Sequence, residues 1–267
     1  MEAVSLRIVL KIGTSSLCGN DGLLMDERVK NLANQITWTC EQHHELVVVS
    51  SGAVGAGIGR TGRRPESVIE KQALAAIGQA HLMQAYQRHL PSLVLAQILL
   101  TRQDLEHASR RSNSANTIRR LLDWGVLPVV NENDTVAHEE IRIGDNDTLA
   151  ARVAGLIKAD LLILLSDVDG LYTQDPRQFP NAEHIGTVNW VSSELLSQHT
   201  ASTGPWGTGG MQTKLAAARI AQEYGIPTIL ADGSTHQILP HLIQGDVTRA
   251  TYFLSQPDST LSHPEMR

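Results

Sequence analysis

Two lysines, one acidic cluster and several turns of small residues are the groups in this chain best suited to chemistry. Thr208-Gly209-Gly210-Met211-Gln212-Thr213-Lys214 reads as the opening of a helix. Glycines there let backbone N–H groups approach an anion closely, and the helix N-terminus adds partial positive charge. Lys214 lies one turn in and reaches the same anion. The plainer alternative is a helix that merely starts at a Gly-rich turn. Lys11 ends an apolar run and precedes Gly13-Thr14-Ser15, which suits a second phosphate grip. A solvated strand-end lysine would look the same. Asp145-Asn146-Asp147 leads into another helix. Asp and Asn are favoured as caps. The same residues could set one carboxylate between the two lysines while its neighbours meet a polar substrate.

The elements that must position these groups alternate in type. Ile8–Ile12, Leu46–Ser50, Leu93–Leu99, Leu127–Val130, Leu161–Leu165 and Thr228–Ala231 are short runs of Val, Ile and Leu. Runs that are apolar throughout suit parallel strands buried on both faces. Between them the spacing predicts helices over Met25–His43, Glu66–His89, Ser112–Trp124, Asp147–Leu156 and Gly210–Tyr224. In the second, Ile69, Ala73, Ala76, Ile77 and Ala80 share a side. Thr135–Gly144 reads as a hairpin, and Asp167–Gly186, with Gly170, Pro176 and Pro180, as a loop. Strand–helix alternation means an α/β fold with a mainly parallel sheet.

Ligands of such sheets sit beyond the carboxyl ends of the strands. Four strands there deliver small, hydroxyl or acidic residues: Gly13-Thr14-Ser15, Ser50-Ser51-Gly52, Asn131-Glu132-Asn133-Asp134 and Ser166-Asp167. Two other patterns are set aside. Gly57-Ile58-Gly59-Arg60-Thr61-Gly62 satisfies G-x-G-x-x-G, but it neither follows a strand directly nor opens a helix. Asn133-Asp134-Thr135 and Asn146-Asp147-Thr148 match the glycosylation sequon, which means nothing without a secretory signal.

The whole-chain figures bound the function. At about 150 residues per domain, 267 residues make one large domain or two small ones. A net charge of −6 and a pI near 6.0 lack the basic face of a nucleic-acid binder. The cysteines, Cys18 and Cys40, form no C-x-x-C pair, which excludes a zinc ribbon or thioredoxin-like site and suits the reducing cytoplasm. Apolar runs as short as Leu161–Leu165 cannot span a membrane.

In order along the chain, Val9-Leu10-Lys11-Ile12-Gly13-Thr14-Ser15, Ser50-Ser51-Gly52-Ala53-Val54, Leu99-Leu100-Thr101-Arg102, Val130-Asn131-Glu132-Asn133-Asp134, Gly144-Asp145-Asn146-Asp147, Asp169-Gly170-Leu171-Tyr172-Thr173 and Gly207–Lys214 resemble the amino acid kinase family. The Lys-x-Gly start marks the broad family. The Asn-Glu-Asn-Asp and Gly-Asp-Asn-Asp pair, with Gly-Thr-Gly-Gly-Met-x-Thr-Lys, narrows the resemblance to members that phosphorylate glutamate.

The resemblance implies a three-layer αβα sandwich formed by residues 1–255. Residues 256–267 would be a tail, without the RNA-binding-type PUA domain that many members carry. It implies ATP-dependent phosphorylation of the L-glutamate side-chain carboxylate to L-glutamyl 5-phosphate, the first step toward proline. Lys11 and Lys214 would hold the transferring phosphoryl group and Asp147 would orient both. Ser51, Asp134 and Asn146 fall at glutamate positions. Ser166, Asp167, Thr208, Gly209, Gly210, Met211, Gln212 and Thr213, with Lys11 and Lys214, fall at nucleotide positions. Mg²⁺ would arrive on the nucleotide, with no metal held by the protein. Also implied are a homo-oligomer, feedback inhibition by proline and a glutamyl-phosphate reductase as consumer of the product, with no nucleic-acid or membrane partner.

A glutamate side chain, with a pKa of about 4.3, is already an anionic nucleophile at neutral pH, so no general base is assigned. Asp134 would pair with the substrate ammonium, and Asn146 would donate to its α-carboxylate. Two alternatives stay open: a kinase of the same fold acting on N-acetylglutamate or aspartate, and a non-catalytic amino-acid sensor. An acid at Asp134 disfavours an acetamide, and a sensor would have no need of Lys11, Asp147 and Lys214 together.

Overall fold

The computed structural model describes residues 5–136, 146–198, 210–246 and 249–255. The expected hairpin beyond Val136, together with Thr208, Gly209 and the tail from Gln256, lies outside the described residues. The chain opens with β1 (Arg7–Ile12), α1 (Thr14–Leu17), α2 (Asp26–Glu41) and β2 (Glu45–Ser50). Then come α3 (Ala53–Thr61), α4 (Val68–His89), β3 (Leu95–Leu100), α5 (Arg102–Glu106), α6 (Ala108–Asp123) and β4 (Leu127–Glu132). The second half runs α7 (Asn146–Ile157), β5 (Leu161–Ser166), β6 (Leu171–Tyr172), β7 (His184–Ile185), β8 (Thr187–Val188) and α8 (Ser193–Gln198). It ends with α9 (Met211–Glu223), β9 (Thr228–Asp232), α10 (Ile238–Gln244) and β10 (Ala250–Phe253).

Among the described residues the main sheet has the order β3-β4-β2-β1-β5-β9-β10-β8. Its pairs are parallel except β9 with β10. All six forecast strands are in it. Alternating residues of each strand feed two cores. Ile8, Leu10 and Ile12 face Val29, Leu32 and Ile36 of α2, Leu82 and Tyr86 of α4, and Ile238 and Leu242 of α10. Val9, Leu162 and Leu164 face Ile118 of α6, Leu149 and Val153 of α7, and Leu215 and Ala218 of α9. These side chains are almost wholly buried, and each Val, Ile and Leu among them contributes about 1.5–3 kcal/mol by leaving water. Two helical layers on one sheet make the αβα sandwich.

Three differences from the sequence reading have physical causes. The stripe Ile69, Ala73, Ala76, Ile77 and Ala80 faces outward, and α4 buries Leu74, Ala75, Gly78, Gln79, Leu82 and Tyr86 instead. The helix is apolar on both sides, so periodicity alone did not pick the core face. The span Asp167–Gly186, expected as loop, holds the antiparallel pair β6–β7, whose strands of two residues are too short to show a period. The glycine-rich segment set aside as a motif lies mostly in α3. There Gly57 and Gly78 let two helices touch: a Cβ on Gly78 would sit 1.8 Å from the Ala53 carbonyl oxygen, and one on Gly57 2.0 Å from that of Leu74.

Candidate active site

Lys11 is the penultimate residue of β1, level with Val49 of β2 and Leu164 of β5, in the middle of the sheet. Asp147 lies in the first turn of α7, where the helix dipole favours a negative charge. Lys214 lies in the first turn of α9. Runs of alanine, Ala150, Ala151 and Ala154 on α7 and Ala217, Ala218 and Ala221 on α9, are buried in one core and let these helices pack closely. The three charges meet there. Lys11 Nζ is 2.5 Å from Asp147 Oδ1, and Lys214 Nζ is 3.3 Å from Oδ2. Thr213 Oγ1 donates to the same Oδ2 at 2.8 Å.

Asp147 is wholly buried and both lysines nearly so. Burial pushes the Asp147 carboxyl up. The Lys11 and Lys214 ammonium groups, with hydrogen bonds from Lys11 and Thr213, outweigh that and hold it down to about 2. Among the described residues, two ammonium groups face one carboxylate in a place poor in water. A buried ammonium attracts an anion far more strongly than a solvated lysine would.

A chain of amides runs from this point to the other half of the sheet. Asn146 Nδ2 lies 2.9 Å from Ser51 Oγ, 3.1 Å from the Ser50 carbonyl and 2.9 Å from Asn131 Oδ1. Asn131 Nδ2 donates to Gln79 Oε1 at 2.9 Å. Beside it lies a cleft of about 240 Å³ between α4 and the ends of β3 and β4, lined among others by Gln79, Glu132, Asn133, Asp134 and Thr135. Ser51, Asn146 and Asp134, named from the sequence, thus gather at this end. Asn131 and Gln79 were not named as site residues.

On the opposite side of β1, Ser166 ends β5 and is buried, with its hydroxyl 3.1 Å from the exposed Asp167 carboxylate. Asp167 also lies 3.8 Å from Arg177. Gly210 caps α9, and Met211, Gln212 and Thr213 form its first turn. The Thr213 hydroxyl, expected at the nucleotide, is turned onto Asp147.

A family model for the amino acid kinase family matches residues 6–232 of this chain. The chain belongs to the amino acid kinase family. Among related proteins, the glutamate 5-kinase of Symbiobacterium thermophilum is 50% identical over 246 residues, 90% of this chain and 93% of that protein. The glutamate 5-kinase of Clostridium acetobutylicum is 46% identical over 89% of this chain and 90% of its own length. Among solved structures, this amino acid kinase resembles UMP kinase from Ureaplasma parvum, with a TM-score of 0.65 at 18% identity, covering 94% of this chain and all of that one. It also resembles carbamate kinase from Giardia lamblia bound to AMP-PNP, with a TM-score of 0.66 at 16% identity over 96% of this chain and all of that one. These last two likenesses concern the fold of an amino acid kinase.

Proposed function

We propose that this amino acid kinase transfers the γ-phosphoryl group of ATP to the side-chain carboxylate of L-glutamate, giving L-glutamyl 5-phosphate and ADP in the first step of proline biosynthesis. The buried Lys11–Asp147–Lys214 cluster carries the reading. In the transfer, a carboxylate oxygen forms a bond to the γ-phosphorus while the bond to the bridging oxygen breaks, and its electron pair leaves with ADP. No proton moves. The protein's task is to bring two anions together and offset charge on the phosphoryl oxygens. Lys11 and Lys214 supply that charge, and Asp147 fixes where they point.

In this reading Ser51, Asp134 and Asn146 face the amino acid. Ser166, Asp167, Thr208, Gly209, Gly210, Met211, Gln212 and Thr213 border the nucleotide. Among the described residues, no three His, Cys, Asp or Glu side chains converge on one point. Asp147 is engaged by lysines; in this reading Mg²⁺ arrives on the nucleotide phosphates, where it would supply further charge neutralisation.

The outward apolar stripe on α4, with Ile69 77% exposed, supports a homo-oligomer, which light scattering measures. No helix among the described residues is long and apolar enough to cross a membrane. The free thiols Cys18 and Cys40 fit a reducing cytoplasm. An acyl phosphate is short-lived in water, which favours a reductase as its consumer.

The deciding assay follows ADP release and hydroxamate formation with ATP, Mg²⁺ and hydroxylamine, comparing L-glutamate, N-acetylglutamate and L-aspartate. Hydroxamate that requires glutamate is the expected result, and its loss on adding proline would establish feedback inhibition. Turnover of one of the other acids alone would replace the substrate. No turnover by folded protein would leave the sensor reading.

A further inference from the structure

Gln79, on the inner face of α4, lines the cleft and is 7% exposed, and its Nε2 has no hydrogen-bond partner among the described residues. Buried donors are nearly always matched, so an unmatched one beside a substrate site points to a ligand.

Which end of this amide is the unmatched one is fixed from a distance. The backbone N–H of Glu132 can only donate, and it donates to Asn131 Oδ1 at 2.9 Å. Asn131 therefore turns Nδ2 toward Gln79, which must answer with Oε1. The remaining end of Gln79 is a donor with two protons. The same chain engages Asn146. Its Nδ2 already faces three protein acceptors: the Ser50 carbonyl, Ser51 Oγ and Asn131 Oδ1. The amide expected to donate to the substrate α-carboxylate is thus committed to protein acceptors, while Gln79 Nε2 is not.

Resting on the glutamate reading above, we propose that Gln79 Nε2 binds the α-carboxylate of the amino-acid substrate, while Asp134 at the same cleft takes its ammonium. A donor and an acceptor lining one cleft, Gln79 from α4 and Asp134 from beyond β4, recognise both charged groups of a zwitterionic head. Gln79 is then a specificity residue for α-amino acids, and the Glu132–Asn131 pair sets its polarity.

The test compares three ligands by titration calorimetry, directly or by competition. They are L-glutamate, 4-aminobutanoate, which lacks only the α-carboxylate, and glutarate, which lacks only the ammonium. Gln79→Glu keeps an oxygen toward Asn131 and exchanges the donor for an acceptor. Gln79→Met keeps the length and removes both the donor and the acceptor, and it serves if Gln79→Glu does not fold. In either variant, Kd for glutamate and for glutarate is expected to rise about 10- to 100-fold, the loss of one charge-assisted hydrogen bond. Kd for 4-aminobutanoate should stay within about twofold, because the group it lacks is the one Gln79 holds. Equal weakening of all three ligands would make Gln79 a packing residue and overturn the proposal. So would unchanged glutamate affinity. Wild-type protein that binds glutamate without phosphorylating it would overturn the functional reading alone, because the affinity ratios would still decide what Gln79 does.

Discussion

Asp147 keeps two ammonium groups in place and remains charged while doing so. Lys214→Ala removes one of the two, and the effect should fall on the transition state, where the transferring oxygens carry the most charge. A loss in kcat of about 10²–10³ is expected, with KM for glutamate little changed. Asp134→Ala should do the reverse and raise KM for glutamate with kcat nearly intact. Equal and mild effects from both variants in steady-state kinetics would dissolve the division of roles. The pH profile separates enzyme from substrate. Asp147 is lowered to about 2 in the fold from an ordinary 3.8, so its contribution to stability is complete above 3.8 and is lost as pH falls toward 2. The acid limb of kcat/KM should therefore follow the substrate carboxylate at about 4.3 and leave Asp147 ionised throughout. A limb set by the enzyme would persist with a more acidic substrate analogue, whereas a limb set by the substrate would move. Lys11, Asp147 and Lys214 were legible because each stands where a strand or helix end meets small residues. Gln79 was not, because one glutamine in an alanine-rich helix carries no local signal, and its meaning comes from Asn131, which is far away in sequence.

The α3–α4 pair shows how an element sets the site. Gly78 lets the Ala53 carbonyl approach its Cα, and the next residue is Gln79. Gly78→Ala would place a methyl group within 1.8 Å of that oxygen and 2.4 Å of the Gly57 nitrogen, both backbone atoms that cannot rotate away. Overpacking of this kind costs about 1–3 kcal/mol, which in a chain this long lowers Tm by about 2–5 °C. Because α4 must move outward, KM for glutamate should rise while KM for ATP stays put. Calorimetry and kinetics on one preparation check both, and a shift in the ATP constant alone would contradict the coupling. The six central strands were legible because burial on both faces writes an unbroken apolar run. α3 was not, because three glycines in nine residues, Gly55, Gly57 and Gly59, argue against a helix by propensity, and it is tertiary packing, on α4 and on Cys18 and Gly22, that stabilises it. The outward side of α4 misled for the converse reason: its apolar stripe is as regular as the buried one.

At the scale of the molecule, the sheet divides the work at β1. The chain runs from β1 to β2 and on to β3 and β4 on one flank, then returns to β5 and β9 on the other. Such a reversal opens a crevice at the carboxyl ends of the strands. In the proposed function, the amino-acid groups Ser51, Asp134 and Gln79 come from the β2–β4 flank and α4, with Asn146 at the start of α7 beside them. The groups proposed for the nucleotide, Ser166, Asp167 and Gly210–Thr213, come from the end of β5 and the start of α9. Lys11 and Asp147 stand between them, and Lys214 reaches across from the nucleotide side. Two substrates held on opposite flanks and meeting at one cationic point is the arrangement that direct transfer without a phospho-enzyme requires. Hydrogen exchange should show this division, since a ligand slows the opening of the segments that it touches. A non-hydrolysable ATP analogue should protect α9 and the end of β5. Glutamate should protect α4 and the end of β4, and either ligand should protect the first turn of α7, where Asp147 joins the flanks. Glutamate protection confined to α9 and β5 would mean that both substrates share one flank, and transfer across β1 would then have to be abandoned.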